Sequence, residues 1–329
     1  MKISKAHFRG CLLGGATADA KGYGVKEGGK DLISDNTQMT CFTVDGLIWA
    51  DERAIRKGVY AYVPCLFYAY QKWYYTQTGN LADKNYGFLL RGEILEWEAL
   101  FARRGTGQTS MTALGGSIKN KYGTLKNRIN NSKGCGSVMR VAPIGMYFWK
   151  NEEMAFRIGA ESGALTHGHI DAILSSGYYA AFIANILMGA SIKEAVLAAL
   201  RRLKEYKGHE DCTVIIEKAI ALAQSNLPVN RAMEDIGEGY TAEEATALAV
   251  FLSLRYTDDF DGAILAATTF NGNTDSIAPI TGNALGAYHG DAVIPQKWIN
   301  ELELADLIVH GADLLLTKVD MEDLQYETL

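Results

Sequence analysis

Two short segments, far apart in the chain, concentrate small oxygen-bearing side chains. Residues 34–37 read Ser-Asp-Asn-Thr and residues 273–276 read Asn-Thr-Asp-Ser, and each segment precedes a run with helical apolar spacing. Such side chains are the preferred caps of helix N-termini, and Asp35 with Gln38 fits a capping box. Their oxygens are also the hard ligands that Mg²⁺ accepts together with water and substrate hydroxyls. Each segment alone is explained by capping; the two together would form a metal site if the fold brings them into contact.

The elements that position these segments are predicted to be helices. Residues Ile170 to Leu187 are spaced as a nearly wholly buried helix, and residues 192–206 and 296–316 as amphipathic helices, the last as one helix or a pair. Thr241 is a candidate N-cap for a helix over residues 242–254, with Glu244 as its capping-box partner. No run of alternating β-branched residues is long enough to build a sheet. The predicted fold class is all-α, and without a linker the simplest organisation is a single domain over residues 1–329.

Composition narrows the class of protein. The chain of 329 residues is 48% hydrophobic and 21% charged, as in ordinary globular proteins, and its net charge of −6 argues against a general nucleic-acid binder. The five cysteines are scattered without a CxxC pair, which favours a reduced cytoplasmic protein. No signal-type apolar core follows Met1, and the longest apolar stretches are too short to span a bilayer. We therefore expect a cytoplasmic protein without membrane or nucleic-acid partners, a monomer by default.

Six segments together carry a family resemblance. They are residues 15–22 (GATADAKG), 34–40 (SDNTQMT), 134–145 (GCGSVMRVAPIG), 164–169 (ALTHGH), 239–245 (GYTAEEA) and 272–283 (GNTDSIAPITGN). In this order they resemble the motifs of the ADP-ribosylglycohydrolases, the family that includes the dinitrogenase-reductase-activating glycohydrolase and the ADP-ribosylarginine hydrolases. The third segment matches almost letter for letter. The resemblance runs over nearly the whole chain and implies an all-helical multi-helix domain around a cleft that holds two magnesium ions.

The resemblance also implies an activity and a set of site residues. Family members cleave the bond between ADP-ribose and an acceptor, with the metals binding ribose hydroxyls and a water. By this resemblance Asp35 and Asp275 are the principal, catalytic metal ligands. The supporting metal ligands implied are Ser34, Asn36, Asn273 and Ser276, and the ADP-ribose-binding residues implied are Gly134, Cys135, Gly136, Ser137 and His167. For His167 a core histidine satisfied by a carbonyl is an equal alternative, and a zinc site shared with His169 is disfavoured because no cysteine or carboxylate lies at ligand spacing.

The chain departs from the family pattern around the metal segments. The family normally supplies four carboxylates there, and Asn36 and Asn273 replace two of them with neutral amides. Ala18 replaces a glycine, and Lys26 lies near the place of an expected glutamate, with Glu27 beside it. Anionic ligands offset the repulsion between two divalent ions, so fewer carboxylates should weaken metal affinity.

Three functions follow from these observations. The first is magnesium-assisted hydrolysis, with one or two ions, of the N- or O-glycosidic bond of an ADP-ribosylated protein or a related ADP-ribosyl compound. The second is a catalytically silent relative that binds ADP-ribose without cleaving it, and the third is a hydrolase of another nucleoside-like substrate. Nothing in the sequence specifies whether the acceptor is arginine, serine or a small molecule.

Overall fold

The structure is a computed structural model that describes the backbone of residues 3–326 and the side chains of residues 3–318. Over these residues the chain forms α-helices joined by loops and short 3-10 helices, without a β-strand. The α-helices are α1 (Lys5–Lys26), α2 (Asp35–Lys57), α3 (Tyr62–Thr78), α4 (Gln108–Gly116), α5 (Ala142–Tyr147), α6 (Glu152–Ala164), α7 (Ile170–Leu187), α8 (Ile192–Leu203), α9 (Glu210–Ala223), α10 (Val229–Ile236), α11 (Ala242–Arg255), α12 (Phe260–Thr269), α13 (Thr274–His289), α14 (Gln296–Glu301) and α15 (Ala305–Tyr326). The 3-10 helices are Lys84–Leu89, Glu93–Glu96, Glu98–Phe101, Cys135–Ser137 and Asp291–Val293.

The all-α prediction is confirmed. The single-domain prediction over residues 1–329 stays a prediction, and residues 1–2 and 327–329 lie outside the described residues.

Helix α7 forms the centre of the core. It begins and ends where its apolar run does, and the large side chains of Tyr178, Tyr179 and Phe182 are fully buried. Burying one such side chain contributes roughly 1.5–3 kcal/mol. Among the described helices α7 alone is long and apolar enough to cross a membrane by length and composition, and 94% of it is buried inside the fold.

Helices α1 and α13 pack antiparallel with their backbones in direct contact. A Cβ atom added at Gly14 would lie 2.4 Å from the carbonyl oxygen of Gly282, and one at Gly10 would lie 2.3 Å from that of Gly286. Only glycine allows helices to approach so closely. The same register brings Gly22 against Thr274, so the last turn of α1 meets the first turn of α13.

Two predicted capping boxes do not form. Helix α2 is capped by Ser34, whose Oγ accepts from the backbone N–H of Asn36 at 3.1 Å; Asp35 is the first helical residue, so its pairing with Gln38 was wrong. The Gln38 side chain is fully buried and instead donates to the carbonyl oxygens of Ala99 and Ala102.

At α11 the N-cap residue is Thr241, as predicted, but its side chain makes no capping hydrogen bond. Its expected partner Glu244 reaches back to the N–H of Gly239 at 3.0 Å instead. The C-terminal amphipathic region is a helix pair, α14 and α15, which the spacing had left open.

Candidate functional site

The first oxygen-rich segment is held in place by a buried carboxylate on α1. Asp19, which is 0% exposed, accepts hydrogen bonds from the N–H and Oγ of Ser34 at 2.9 and 2.6 Å, and from the N–H and Oγ1 of Thr37 at 3.2 and 2.5 Å. Burial raises the pKa of Asp19 to about 6, although these four bonds favour the charged form. Asp19 therefore ties the start of α2 to α1.

Asp35 lies at the start of α2 as a buried carboxyl group. It is 4% exposed, and its Oδ2 accepts from the N–H of Gly107 at 3.0 Å. Burial raises the pKa of Asp35 well above its ordinary value, and the neighbouring carboxyl groups of Asp19 and Asp275 raise it further. The fold has thus brought the two predicted acidic residues within electrostatic reach of each other.

Asn36 completes the first segment. Its side chain is 2% exposed, and its Nδ2 donates to the Oγ of Ser34 at 2.7 Å. Its Oδ1 accepts no hydrogen bond from the described residues. Because a buried carbonyl oxygen is normally paired, this atom marks a place where a donor or a cation would be favourable.

The second segment starts α13. Asn273 is the N-cap residue, and its Nδ2 donates to the carbonyl oxygen of Gly239 and to the Sγ of Cys135, both at 3.1 Å. The Oγ of Ser276 lies 3.3 Å from the same sulfur atom. The glycine-rich loop and the second segment therefore meet at Cys135, whose thiol has its pKa raised by burial to about 11 and stays protonated near neutral pH.

Lys26 occupies the space between the acidic and amide oxygens of this segment. Its Nζ lies 2.5 Å from Asp275 Oδ1 and 3.3 Å from Asn273 Oδ1. The side chain of Lys26 is 38% exposed and that of Asp275 is 14% exposed, so the pair is only partly shielded from solvent. Helix geometry supports the pair, because a cation at the end of α1 and an anion at the start of α13 both complement their helix dipoles.

The residues present do not fit a dinuclear magnesium centre. Two of the family's four carboxylates are the amides Asn36 and Asn273, and Asp275 is already paired with an ammonium group. Among the described residues there is also no group of three or more His, Cys, Asp or Glu side chains placed to hold a metal ion. Any divalent ion bound by Asp275 would have to displace Lys26.

The glycine-rich loop at residues 134–137 is joined to the start of α11. Gly134 and Thr241 form an isolated antiparallel bridge. On either side of this bridge the N–H of Cys135 donates to the carbonyl oxygen of Tyr240 at 3.1 Å. The N–H of Ala242 donates to the carbonyl oxygen of Lys133 at 2.7 Å. The Lys133 ammonium lies 2.5 Å from Asp171 Oδ2, and this contact raises the pKa of the lysine. Lys133 thus anchors one end of the loop.

His167 packs directly beneath this loop. A Cβ at Gly134 would lie 3.2 Å from its Nε2, and one at Gly136 would lie 3.3 Å from its Cε1. Arg140 donates to Thr166 Oγ1 at 2.7 Å, and that oxygen lies 2.8 Å from His167 Nδ1. The Thr166 hydroxyl hydrogen is then available to Nδ1, which favours the tautomer with the proton on Nε2, facing the loop. Burial lowers the pKa of His167 to about 3, so the ring is neutral.

Two further residues of the family-like segments, Arg140 and His169, make structural contacts. Arg140 is fully buried, donates to the Ser162 carbonyl oxygen at 3.3 Å and lies 4.2 Å from the centre of the Tyr70 ring, so it braces the fold and is not exposed to a phosphate. His169 caps α7, its ring accepting from the N–H of Asp171 at 3.2 Å.

Asp19, Lys133 and Gly107 contribute to the site but were not assigned by the sequence analysis. Only Asp19 carried a signal, because it lies inside the first family-like segment. The contacts of Lys133 and Gly107 join residues more than thirty positions apart, which no local pattern reveals.

Known proteins share this architecture. A sequence profile of the ADP-ribosylglycohydrolase family matches residues 2–324. The chain belongs to the ADP-ribosylglycohydrolase family. An uncharacterized protein from Archaeoglobus fulgidus is 26% identical over 302 residues, which cover 90% of this chain and 91% of that protein.

The ADP-ribosylarginine hydrolase Tri1 of Serratia proteamaculans is 24% identical over 218 residues, which cover 66% of this chain and 56% of the hydrolase. The match thus spans little more than half of that enzyme. A solved structure named ADP-ribosylglycohydrolase-related protein complex is similar in fold, with a TM-score of 0.70 at 18% identity, over 97% of this chain and 100% of that chain.

Within this family member, the six family-like segments converge on one region. Two lie at the starts of α2 and α13, one on α1, and the other three form the glycine-rich loop, the layer beneath it and the start of α11. The fold therefore brings the six family-like segments together, and Lys26, Asn36 and Asn273 are the residues there that depart from the family pattern in charge.

Proposed function

We propose that this ADP-ribosylglycohydrolase family member binds ADP-ribosyl groups at the loop of residues 134–137 and the starts of α2 and α13, with Lys26 in place of a divalent cation. The observation that carries this proposal is the position of the Lys26 ammonium, 2.5 Å from Asp275 Oδ1 and 3.3 Å from Asn273 Oδ1. The catalytically silent alternative is thereby favoured over magnesium-assisted hydrolysis.

Charge and coordination chemistry support this choice. Two divalent ions about 3.7 Å apart repel by roughly 18 kcal/mol at an effective dielectric constant near 20, and four carboxylates offset that repulsion where two would not. An ammonium group carries one charge and three hydrogen-bond donors, which suit a ribose hydroxyl or a diphosphate oxygen. It has no open coordination position and does not lower the pKa of a bound water as a metal ion does.

Recognition of the diphosphate rests on backbone groups. Gly134 and Gly136 leave the loop without side chains, and the close packing of His167 beneath them keeps the loop in one conformation. The N–H groups of Gly134 and Cys135 already donate to Ser132 Oγ and to the Tyr240 carbonyl oxygen, so those of Gly136 and Ser137 are the pair that would form an anion-binding concavity. Contacts of Gly134, Cys135, Gly136, Ser137 and His167 with ADP-ribose stay predictions.

The test is isothermal calorimetry with ADP-ribose, in EDTA and in millimolar MgCl₂, together with a hydrolysis assay on ADP-ribosylarginine. We expect ADP-ribose to bind with affinities that agree within about twofold in the two buffers, and no magnesium-dependent hydrolysis. Lys26→Gln should weaken ADP-ribose binding about tenfold, whereas Lys30→Gln, a matched exposed lysine nearby, should leave it unchanged. Binding that requires magnesium would overturn the proposal.

A second candidate, magnesium-assisted hydrolysis, is favoured by one observation. Asp35 is a buried carboxyl group whose pKa is raised by burial and by the carboxyl groups of Asp19 and Asp275, and it has no cationic partner at hydrogen-bond distance among the described residues. A single Mg²⁺ beside Asp35 and Asp275, with Lys26 displaced, would relieve that repulsion. The catalytic roles of Asp35 and Asp275 and the ligand roles of Ser34, Asn36, Asn273 and Ser276 belong to this candidate.

The two candidates separate in the same assay. Because relatives are ADP-ribosylarginine hydrolases, arginine is the first acceptor to test. Magnesium-dependent release of ADP-ribose that Asp35→Asn abolishes would establish the second candidate. An ADP-ribosylated protein or ADP-ribose-like small molecule as the partner, a cytoplasmic location and a monomeric state remain predictions under either candidate.

A further inference from the structure

A cleft of two adjoining lobes lies beside the C-terminal half of α2, and the lobes have volumes of about 220 and 360 Å³. Trp49, Glu52, Phe88 and Arg91 line both lobes, so the two form one continuous space, which we name the basic cleft. The larger lobe alone falls in the range of small-molecule sites.

The lining of the basic cleft is positively charged. Two acidic side chains, Asp45 and Glu52, and five basic ones line it, which gives it a net charge of +3 in a chain whose net charge is −6. The basic side chains are Arg53, Arg56, Lys57, Lys72 and Arg91. All of them except Lys72 are exposed and form no ion pair with the described residues. A cleft lined by one sign of charge attracts a ligand of the opposite sign.

Helix termination explains only part of this charge. Arg56 and Lys57 lie in the last turn of α2, where a cation complements the helix dipole. Arg53 lies before that turn, and Arg91 follows the 3-10 helix Lys84–Leu89. The fold therefore brings unpaired cations from two separate segments to one cleft.

The smaller lobe contains a buried ammonium group. Lys72 is 7% exposed; its Nζ donates to Asp45 Oδ2 at 2.8 Å and lies 5.5 Å from the centre of the Trp49 ring. An ammonium group has three N–H donors, and the other two of Lys72 have no acceptor among the described residues. A hydrogen-bond acceptor on a ligand in this lobe would satisfy them.

Aromatic surface connects the two lobes. Phe88 is 41% exposed, and its ring meets the half-buried ring of Trp49 edge to face, with centroids 6.5 Å apart. A planar ring on a ligand would pack against these side chains. The guanidinium groups beside them have the geometry that binds phosphate oxygens in pairs.

The basic cleft is separate from the space where we place the ADP-ribosyl group. It is lined by none of Lys26, Asp35, Asp275 or the loop of residues 134–137. Arg56 lies 21 residues beyond Asp35 on α2, and at a rise of about 1.5 Å per residue the two are about 30 Å apart.

We propose that the basic cleft binds a small phosphate ester of a heteroaromatic compound, such as a nucleoside monophosphate. Its phosphate group lies among the arginines of the larger lobe, its ring packs against Trp49 and Phe88, and a ring oxygen accepts from Lys72. The inference does not depend on the proposed function, because the two sites have no residue in common.

The experiment is isothermal calorimetry of the full chain with uridine 5′-monophosphate, which shares no base with ADP-ribose. Three comparison ligands each lack one feature: uridine lacks the phosphate, inorganic phosphate lacks the ring, and phenyl phosphate lacks the ring acceptor. We expect the nucleotide to bind at least about tenfold more tightly than uridine or inorganic phosphate, and severalfold more tightly than phenyl phosphate. Equal affinity for the nucleotide and any of the three would overturn the proposal.

Variants localise the binding. Arg91→Gln should weaken nucleotide binding about tenfold, whereas Arg157→Gln, at an exposed arginine on α6 that does not line the cleft, should leave it unchanged. Phe88→Ala should weaken it severalfold, whereas Phe101→Ala, at an equally exposed phenylalanine, should not. Excess ADP-ribose should leave the affinity unchanged.

Competition by ADP-ribose, or equal effects of the two arginine variants, would show that the nucleotide does not occupy the basic cleft. Circular dichroism establishes that each variant is folded. If Phe88→Ala does not fold, the arginine pair decides.

Discussion

Lys26 and Asp275 form an ion pair between two helices that the sequence separates by 249 positions. Each residue has an alternative partner in principle, since Asp275 would also suit a metal ion and Lys26 a phosphate group. Which partner prevails depends on the charge of the surrounding side chains, and here the neighbouring residue Asn273 is a neutral amide whose Oδ1 lies 3.3 Å from the Lys26 ammonium group.

Restoring the carboxylates should therefore restore metal binding. In the variant Lys26→Gln/Asn36→Asp/Asn273→Asp, the missing anionic ligands return and the competing ammonium group is removed, so we expect millimolar MgCl₂ to raise its thermal unfolding temperature by several degrees. The wild-type chain should show no such shift, and neither should Lys30→Gln. A triple variant that remains insensitive to magnesium would show that the site is remodelled beyond a change of charge.

His167 makes folding stability depend on pH. Its folded pKa, about 3, lies below the ordinary histidine value of 6.5, because burial disfavours the charged ring. At His167 the unfolded chain therefore binds a proton that the folded chain does not, so the contribution of this residue to the free energy of unfolding falls as the pH decreases from 6.5 toward 3. The loss is about 1.4 kcal/mol per pH unit and up to about 5 kcal/mol in total. The raised pKa values of Asp19 and Asp35 act in the opposite direction, so the effect of His167 is measured against a variant that lacks it.

The measurement is urea unfolding from pH 7 to pH 4 for the wild-type chain and for His167→Gln, which cannot titrate. The stability of the wild-type chain relative to the variant should decline as the pH falls. His310→Gln, at an exposed position, serves as the control and should follow the wild-type profile. Parallel profiles for wild type and His167→Gln would contradict the neutral, buried assignment.

At the scale of the elements, the register of α1 against α13 determines the composition of the site. Glycine contacts at Gly10, Gly14, Gly282 and Gly286 set that register, and the same four-residue steps continue to Gly22 and Thr274. Lys26, one turn beyond Gly22, is thereby delivered to the start of α13. A different register would remove Lys26 from Asp275 without changing either residue.

Gly14→Ala tests this packing. The added methyl group would lie 2.4 Å from the backbone carbonyl oxygen of Gly282, which has no flexible side chain to move aside. We expect the free energy of unfolding to fall by about 1–3 kcal/mol, in the range for overpacked core sites. Gly87→Ala, where nothing lies within 4 Å of the added Cβ, is the control and should change it by less than about 1 kcal/mol.

At the scale of the whole molecule, the two ends of the chain pack together. Helix α1 contacts both α13 and α15, and Arg9 donates two hydrogen bonds of 2.8 Å to the Asp313 carboxylate. The hydrogen bonds from Arg9 hold the pKa of Asp313 at about 2. The buried residues of α1, α13 and α15 belong to one hydrophobic cluster.

Because α1 packs against both α13 and α15, we expect the chain to unfold as one unit. Far-UV circular dichroism and tryptophan fluorescence should report one coincident urea transition, and Gly14→Ala should shift both signals equally. Separate midpoints for the two signals would show that the single-domain prediction over residues 1–329 is wrong.

Local patterns in the sequence predicted several of the helices and the N-cap Thr241 of α11, but they assigned the cap of α2 to Asp35 instead of Ser34. The apolar spacing of residues 170–187 predicted the helix α7 with its observed bounds, and the spacing of residues 296–316 predicted helical structure but left one helix or a pair open. The family-like segments indicated the candidate site region. Short-range patterns did not determine which side chain satisfies each helix start, because Gln38 and Glu244 find partners that a capping box does not anticipate.

Only the tertiary structure decided what occupies the centre of the site. The sequence showed that Lys26 lies near the place of an expected glutamate. It did not show which group the Lys26 ammonium contacts, because a long flexible side chain can reach several neighbours. The contact of its ammonium group with Asp275 arises because α1 and α13, held backbone to backbone by glycines, bring the two residues together across 249 positions. Interactions of that kind depend on distance in space, which only the packed helices define.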